Sequence, residues 1–133
     1  MSNARDIADA GHQLKAWVYF HGNLDSTPPS GSTLTAGENT FIYQSFNVSS
    51  VLYTETGTYE IKFPAGLLSD TNYLVLHCLD NGMGNNLGAA AQIGKYGDSL
   101  SSIKTTGKVR IQYRYQGDNT AYDIIEGYVA IFR

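Results

Sequence analysis

Residues 45–76 read SFNVSSVLYTETGTYEIKFPAGLLSDTNYLVL, and this stretch decides the fold class. Along residues 58–63, apolar Tyr59, Ile61 and Phe63 alternate with polar residues, which predicts a strand with one apolar face and one wet face. A Thr-Gly pair precedes this strand, and Pro64-Ala-Gly follows it, so both of its ends carry turn signals. The pattern is typical of an antiparallel sheet with one buried face and argues against a βαβ unit.

The rest of the chain extends the same pattern. We predict strands at residues 14–20, 41–48, 52–55, 58–63, 73–79, 89–95, 101–105, 108–116 and 126–132, with one helical turn at residues 67–72. Charged residues make up only 16% of the chain, and 14 glycines supply turns, a composition that suits strands rather than exposed helices. The prediction is an all-β chain, an antiparallel, jelly-roll-like β-sandwich of eight to nine short strands at residues 14–133. Residues 1–13 form a polar N-terminal arm.

The charge pattern excludes several classes of partner. The net charge is −3 and Lys and Arg form no run, which disfavours nucleic-acid binding. No apolar stretch approaches 18 residues, and residues 1–13 lack the pattern of a secretory signal. We therefore expect synthesis in a cytoplasm and no membrane insertion. Residues 110–115 interleave Arg with aromatic residues, and an amphipathic strand with a solvated face is favoured there over a ligand-contacting one.

The number and spacing of the cysteine and histidine residues indicate no disulfide, metal site or cofactor site. Cys78 is the single cysteine, so no intrachain disulfide forms, and its apolar neighbours predict a buried core position. His12, His21 and His77 lack metal-ligand spacing. We expect neither a metal nor a cofactor.

Catalysis is not expected either. Asp118, Asp123 and Glu126 are close in sequence, but acidic residues near turns are usually solubilising. The chain has no Gly-x-Ser-x-Gly motif and no evident acid/base pair. The expectation is that the protein is not an enzyme.

Three polar loops, at residues 24–39, 80–88 and 116–123, are the candidate ligand-facing regions. Exposed Tyr beside Asn and Asp suits recognition of sugar or protein, because the ring stacks and the amides form hydrogen bonds. Ordinary sheet roles remain the alternative for each tyrosine, and Tyr59 and Tyr128 are assigned to the core. The candidate ligand-facing residues are Asp80, Asn81, Asn85, Asn86, Asp118, Asn119 and Tyr122.

Two further sets of residues are candidates for protein contacts. Residues 16–20 are apolar at five successive positions, which predicts a strand covered on both faces. Because a domain this small covers both faces only in part, Trp17, Tyr19 and Phe20 are assigned to the core or to an intersubunit surface. In the N-terminal arm, Ile7 and His12 are the candidate docking residues.

The pattern SFNVSS at residues 45–50, GTYEIKF at 57–63 and DTNY at 70–73 resembles a segment of the C-terminal domains of tailed-phage tail fibres and related virion proteins. The upstream KAWVYF at residues 15–20 resembles a motif that often precedes that segment. The resemblance implies a compact β-sandwich that associates around a symmetry axis, often as a trimer, at an exposed position on the virion. It supplies no catalytic residue.

The resulting expectation is a phage virion structural protein, a tail fibre or short appendage subunit whose loops serve host-surface attachment. Its expected partners are further copies of itself, other virion proteins through the arm, and a host surface glycan or protein. A capsid- or baseplate-decorating protein with no receptor is the alternative. A glycan-active enzyme is the least favoured reading.

Overall fold

A computed structural model describes residues 13–23, 33–80, 89–94, 98–115 and 120–133. Within these residues the chain forms eight strands and one short helix. In chain order they are β1 (Leu14–His21), β2 (Ile42–Phe46), β3 (Ser50–Glu55), β4 (Thr58–Lys62), β5 (Leu74–Asp80), β6 (Ala89–Ile93), α1 (Leu100–Ile103), β7 (Lys108–Tyr115) and β8 (Glu126–Phe132).

The strands pair into two four-stranded sheets. The first sheet has the order β2-β1-β8-β5 and the second has the order β3-β4-β7-β6, and all pairings of named strands are antiparallel. The predicted all-β sandwich is confirmed.

One edge segment joins the two sheets. The Thr40 amide donates to the Val51 carbonyl (2.7 Å), so residues before β2 lie along β3 of the second sheet. One residue later, the Phe41 carbonyl accepts from the His21 amide (2.8 Å), and β2 continues along β1 of the first sheet. The chain thus changes sheets at the edge of the sandwich, where it closes one side.

The core lies between the sheets and is built from alternate residues of each strand. In β1 the buried residues are Ala16, Val18 and Phe20, while the residues between them point to the other face. Tyr59 of β4 contacts the Phe20 ring at a centroid distance of 5.2 Å and donates a hydrogen bond to the Gly22 carbonyl. A buried tyrosine hydroxyl needs such a partner, because an unpaired one costs free energy. The remaining core residues include Val51, Ile61, Val109, Ile111, Tyr113, Ile124, Val129 and Ile131.

Gly127 of β8 shows how closely the core is packed. A Cβ built on this glycine would lie 2.5 Å from Cζ of the Phe20 ring. No side chain fits there without displacing that ring, so the sequence needs glycine at this position.

Two predicted elements are wrong. The strand predicted at residues 101–105 is instead the helix α1, whose first turn closes when the Ser102 amide and hydroxyl both donate to the Ser99 carbonyl (2.9 and 2.8 Å). The helical turn predicted at residues 67–72 is instead a series of bends, because the Asp70 carboxylate accepts a hydrogen bond from the Asn72 amide (2.8 Å). Local side-chain hydrogen bonds of this kind compete with regular structure.

Candidate functional site

The described residues that flank the three predicted loops lie at one end of the sandwich. His21 ends β1 and Asp80 ends β5, and both pair with Glu126, the first residue of β8. Tyr115 ends β7 and pairs with Ala89, the first residue of β6. The segments after β1, β5 and β7 therefore all leave from the same end, which we call the loop end.

The termini of the sandwich lie at the opposite end. Gln13 and Arg133 exchange backbone hydrogen bonds of 2.9 Å each, and Leu14 pairs with Phe132. The arm residues 1–12, including Ile7 and His12, lie outside the described residues. Their point of departure, beside Gln13, lies at the opposite end from the loops.

Of the candidate ligand-facing side chains, Tyr122 is the one that the structure describes. It is 38% exposed at the loop end. Asp80 is described only as the last residue of β5. The other candidates lie outside the described residues, namely Asn81, Asn85, Asn86, Asp118 and Asn119.

The Asp123 carboxylate connects separate segments of the chain at the loop end through hydrogen bonds. One of its carboxylate oxygens accepts from the Gly57 amide (2.6 Å), and the other accepts from the Tyr53 hydroxyl (3.1 Å) and the Asn23 side-chain amide (3.3 Å). Asn23 in turn accepts from the Leu34 amide (2.6 Å). Burial and the Asp123 charge raise the pKa of the Tyr53 hydroxyl. One carboxylate therefore fixes the β3–β4 turn to the segments that precede β2 and β8.

Sequence reasoning treated Asp123 as one of three neighbouring acidic residues and missed this role. Its partners come from residues far away in sequence, so no local signal points to it. Gly57 shows the fit: its φ is +68°, and an added Cβ would lie 2.5 Å from the Tyr122 carbonyl oxygen.

The outer face of the first sheet is apolar. Alternation and register place Trp17, Ala130 and Leu76 in one row across β1, β8 and β5, and place Leu14, Phe132 and Leu74 in another. Leu76, Leu74, Phe46 and Leu14 are 60%, 51%, 47% and 45% exposed. An antiparallel sheet normally carries polar residues on its solvent face. We call this surface the apolar face.

A row of aromatic rings crosses the apolar face toward the loop end. The Tyr19 ring stacks between the rings of Tyr43 and Tyr128, with centroid distances of 4.5 and 4.6 Å. Phe41 meets the Tyr43 ring edge-on at 5.2 Å. A hydrogen bond to Glu126 raises the pKa of the Tyr19 hydroxyl, which keeps that hydroxyl protonated.

A groove of about 350 Å³ runs over Ala130 on the apolar face, because this small side chain lies between the larger Trp17 and Leu76. The other lining residues are Val18, His77, Cys78, Tyr128 and Val129. Register with buried Val129 places His77 on the opposite side of β5 from Leu76 and Cys78, and burial lowers its pKa.

These positions correct two sequence expectations and resolve a third. Cys78 is exposed rather than buried in the core, because it belongs to the outward-facing residues of the edge strand β5. Tyr128 is half-buried on the apolar face and is not a core residue. Phe20 is a core residue, whereas Trp17 and Tyr19 lie half-buried on the apolar face.

The outer face of the second sheet is polar and joined by side-chain bonds. Gln112 of β7 donates to the Thr58 hydroxyl (2.9 Å) and accepts from Gln92 of β6 (3.3 Å). In the next row Glu60 pairs with Lys108 (2.6 Å) and Arg110 (3.1 Å). We call this surface the polar face.

Glu60 is nearly buried on the polar face, and Arg110 also pairs with Asp98 (2.9 Å). Burial alone would raise the pKa of Glu60, but hydrogen bonds from Lys108 and Arg110 outweigh it and lower the pKa. The face predicted to be wet along β4 is therefore buried at Thr58 and Glu60. The solvated face predicted for β7 is likewise buried at Gln112.

The described part of the chain shows neither a metal-binding cluster nor a membrane-spanning helix. It contains no group of three or more His, Cys, Asp or Glu side chains that could hold a metal ion. None of its helices is long and apolar enough to cross a membrane.

Comparison with known proteins gives one structural likeness. No family model matches the chain, and no curated protein matches it. Among solved structures, it is similar to the phiAB6 tailspike, solved in complex with three-repeated oligosaccharides of Acinetobacter baumannii surface polysaccharide. The TM-score is 0.46 at 19% identity, and the match covers 86% of this chain and 19% of the tailspike chain. The chain thus spans about a fifth of the tailspike, and we draw no functional conclusion from the match.

Proposed function

We propose that this protein is a virion protein of a tailed phage, a tail fibre or short appendage subunit that displays loops for host-surface attachment. The observation that carries the proposal is the opposition of the two ends of the sandwich. The three polar segments leave from the loop end, while Gln13 and Arg133 lie at the other. A domain that is anchored at its termini presents such loops away from the anchor.

The resemblance of residues 15–20 and 45–76 to phage tail-fibre domains supports the virion setting. In this proposal the arm, with Ile7 and His12, docks onto other virion proteins, and the chain forms a homotrimer. The loops contact a glycan or protein on the host surface. Neither nucleic acid nor membrane insertion is part of the proposed role.

The proposed role is binding rather than catalysis. Two carboxylates of the described chain already have structural partners. Asp123 accepts three hydrogen bonds, and Glu60 neutralises Lys108 and Arg110. A carboxylate whose oxygens are held by structural partners is poorly placed to act as a general acid or base, and in Glu60 the hydrogen bonds from Lys108 and Arg110 also lower the pKa.

Phage particles that carry Tyr122→Ala test the attachment role. Tyrosine side chains often dominate a binding surface, so we expect adsorption to host cells to slow by about tenfold. Thr106→Ala, an exposed position in the turn before β7 at the far end, is the matched control and should adsorb as the wild type does.

Unchanged adsorption by Tyr122→Ala particles, together with lower particle stability, would contradict the attachment role. That pair of results would instead support a decorating protein with no receptor.

A further inference from the structure

We infer that the apolar face is the surface on which a second copy of this chain packs. The inference goes beyond the proposed function: a face that packs on the same face of a second copy makes a two-fold dimer, whereas the proposed trimer needs three-fold contacts. The face has the composition of an interface core: aromatic rings, leucines and one alanine, with the groove between Trp17 and Leu76 at its centre.

The area of the face fits a second copy. Leu14, Phe46, Leu74 and Leu76 are each about half exposed. At about 200 Å² for a large apolar side chain, they present roughly 400 Å² together, and the partly exposed rings of Trp17 and Tyr128 add to this. This is about the size of the largest apolar patch on a typical monomer, and such a patch is often an interaction site. Two such faces together bury about 1,000 Å², which is the lower limit for a specific interface.

The charges of the face also favour a like partner. Two of its rows are uncharged, one at Trp17, Ala130 and Leu76 and the other at Leu14, Phe132 and Leu74. Glu126, an acidic residue beside the aromatic row, is hydrogen-bonded to Tyr19 of the same sheet. These two rows therefore meet a second copy without burying a charge of their own, which is a main cost of association.

The chain's own N-terminal residues are a poorer occupant. Residues 1–12 contain only Met1 and Ile7 as large apolar side chains. Two side chains of this kind are too few to cover four exposed ones and a groove. A second copy supplies the same large apolar surface that it covers, and the protruding Phe46 has a suitable size for the groove.

Sedimentation velocity of the full chain across micromolar concentrations tests this inference. The wild type should assemble as concentration rises, and Leu76→Lys should stay monomeric because it places a charge in the contact, weakening association by about tenfold or more. Thr106→Lys is the control: Thr106 is exposed before β7, away from the apolar face, and this variant adds the same charge but should assemble as the wild type does. Circular dichroism of each variant confirms that its sandwich is folded.

The rate of thiol modification at Cys78 gives a second readout that needs no substitution. Cys78 is exposed and lines the groove, so assembly should slow its modification and dilution should restore it. A wild type that remains monomeric, whatever its Cys78 rate, overturns the inference, as does a Leu76→Lys variant that assembles normally. The result is independent of the virion proposal, which mass spectrometry of purified particles tests separately.

Discussion

The two outer faces of the sandwich are built in opposite ways. On the polar face, cross-strand bonds join Thr58, Gln112 and Gln92 in one row and Glu60 with Arg110 in the next. On the apolar face, leucines and aromatic rings lie exposed beside a groove. Side chains of the polar face therefore find many of their hydrogen-bond and ion-pair partners within the chain. The apolar face gains free energy only when something covers it.

This difference separates the roles of the two sheets. Residues of the polar face stabilise the folded chain, and their substitution should change the free energy of unfolding. Residues of the apolar face contribute little to the isolated chain, and their substitution should change association. The predictions below test that division.

Truncating Glu60 should have the largest effect on stability. Glu60→Ala leaves Lys108 and Arg110 without their shared carboxylate, and we expect the free energy of unfolding to fall by about 3 kcal/mol. Leu76→Ala, the matched truncation on the apolar face, should change it by no more than about 0.5 kcal/mol. Urea unfolding of dilute protein measures both values. Equal losses for the two variants would remove the distinction between the faces.

The sequence predicted the strands of both faces but not their difference. Alternation along β1 and β4 identifies which residues share a face, and this needs only the period of a strand. Alternation does not show which face will be covered by side chains from a segment that is distant in sequence. Asp98 reaches Arg110 from the segment after β6, and Lys108 reaches Glu60 from the neighbouring strand. A face that was predicted to be wet is therefore buried.

Cys78 shows the same limit on the other sheet. Its apolar neighbours at 73–79 predicted burial, but β5 is an edge strand, and every second residue of it points to the apolar face. The local sequence pattern does not show whether a strand lies at the edge of a sheet or how the strands are connected. The convergence of three loops at one end, and the bonds of Asp123, also depend on topology, so the sequence named the loops without placing them together.

The pH dependence of the free energy of unfolding should also reflect the ion pairs of the polar face, with a smaller effect than the truncation of Glu60. Because the folded-state pKa of Glu60 is lowered, its contribution to stability is complete above its unfolded pKa and is lost as pH falls through the folded value. We expect Glu60→Gln to lose less stability than the wild type when the pH is lowered from neutral to below 4.5, the ordinary pKa of a glutamate. Urea unfolding at a series of pH values measures this.

Glu55→Gln, an exposed glutamate of β3, is the control for that series and should keep the wild-type dependence on pH. A Glu60→Gln profile parallel to that of the wild type would mean that the ion pairs of the polar face do not stabilise the fold.

The fluorescence of Trp17 tests the central claim most directly, because Trp17 is the single tryptophan and lies on the apolar face. If copies of the chain pack on this face, raising the concentration of the wild type should shift the emission to shorter wavelength and reduce quenching by acrylamide. The Leu76→Lys variant should show neither change. An emission spectrum that stays constant while the wild type passes from monomer to oligomer would contradict the account, since the chain would then assemble through another surface.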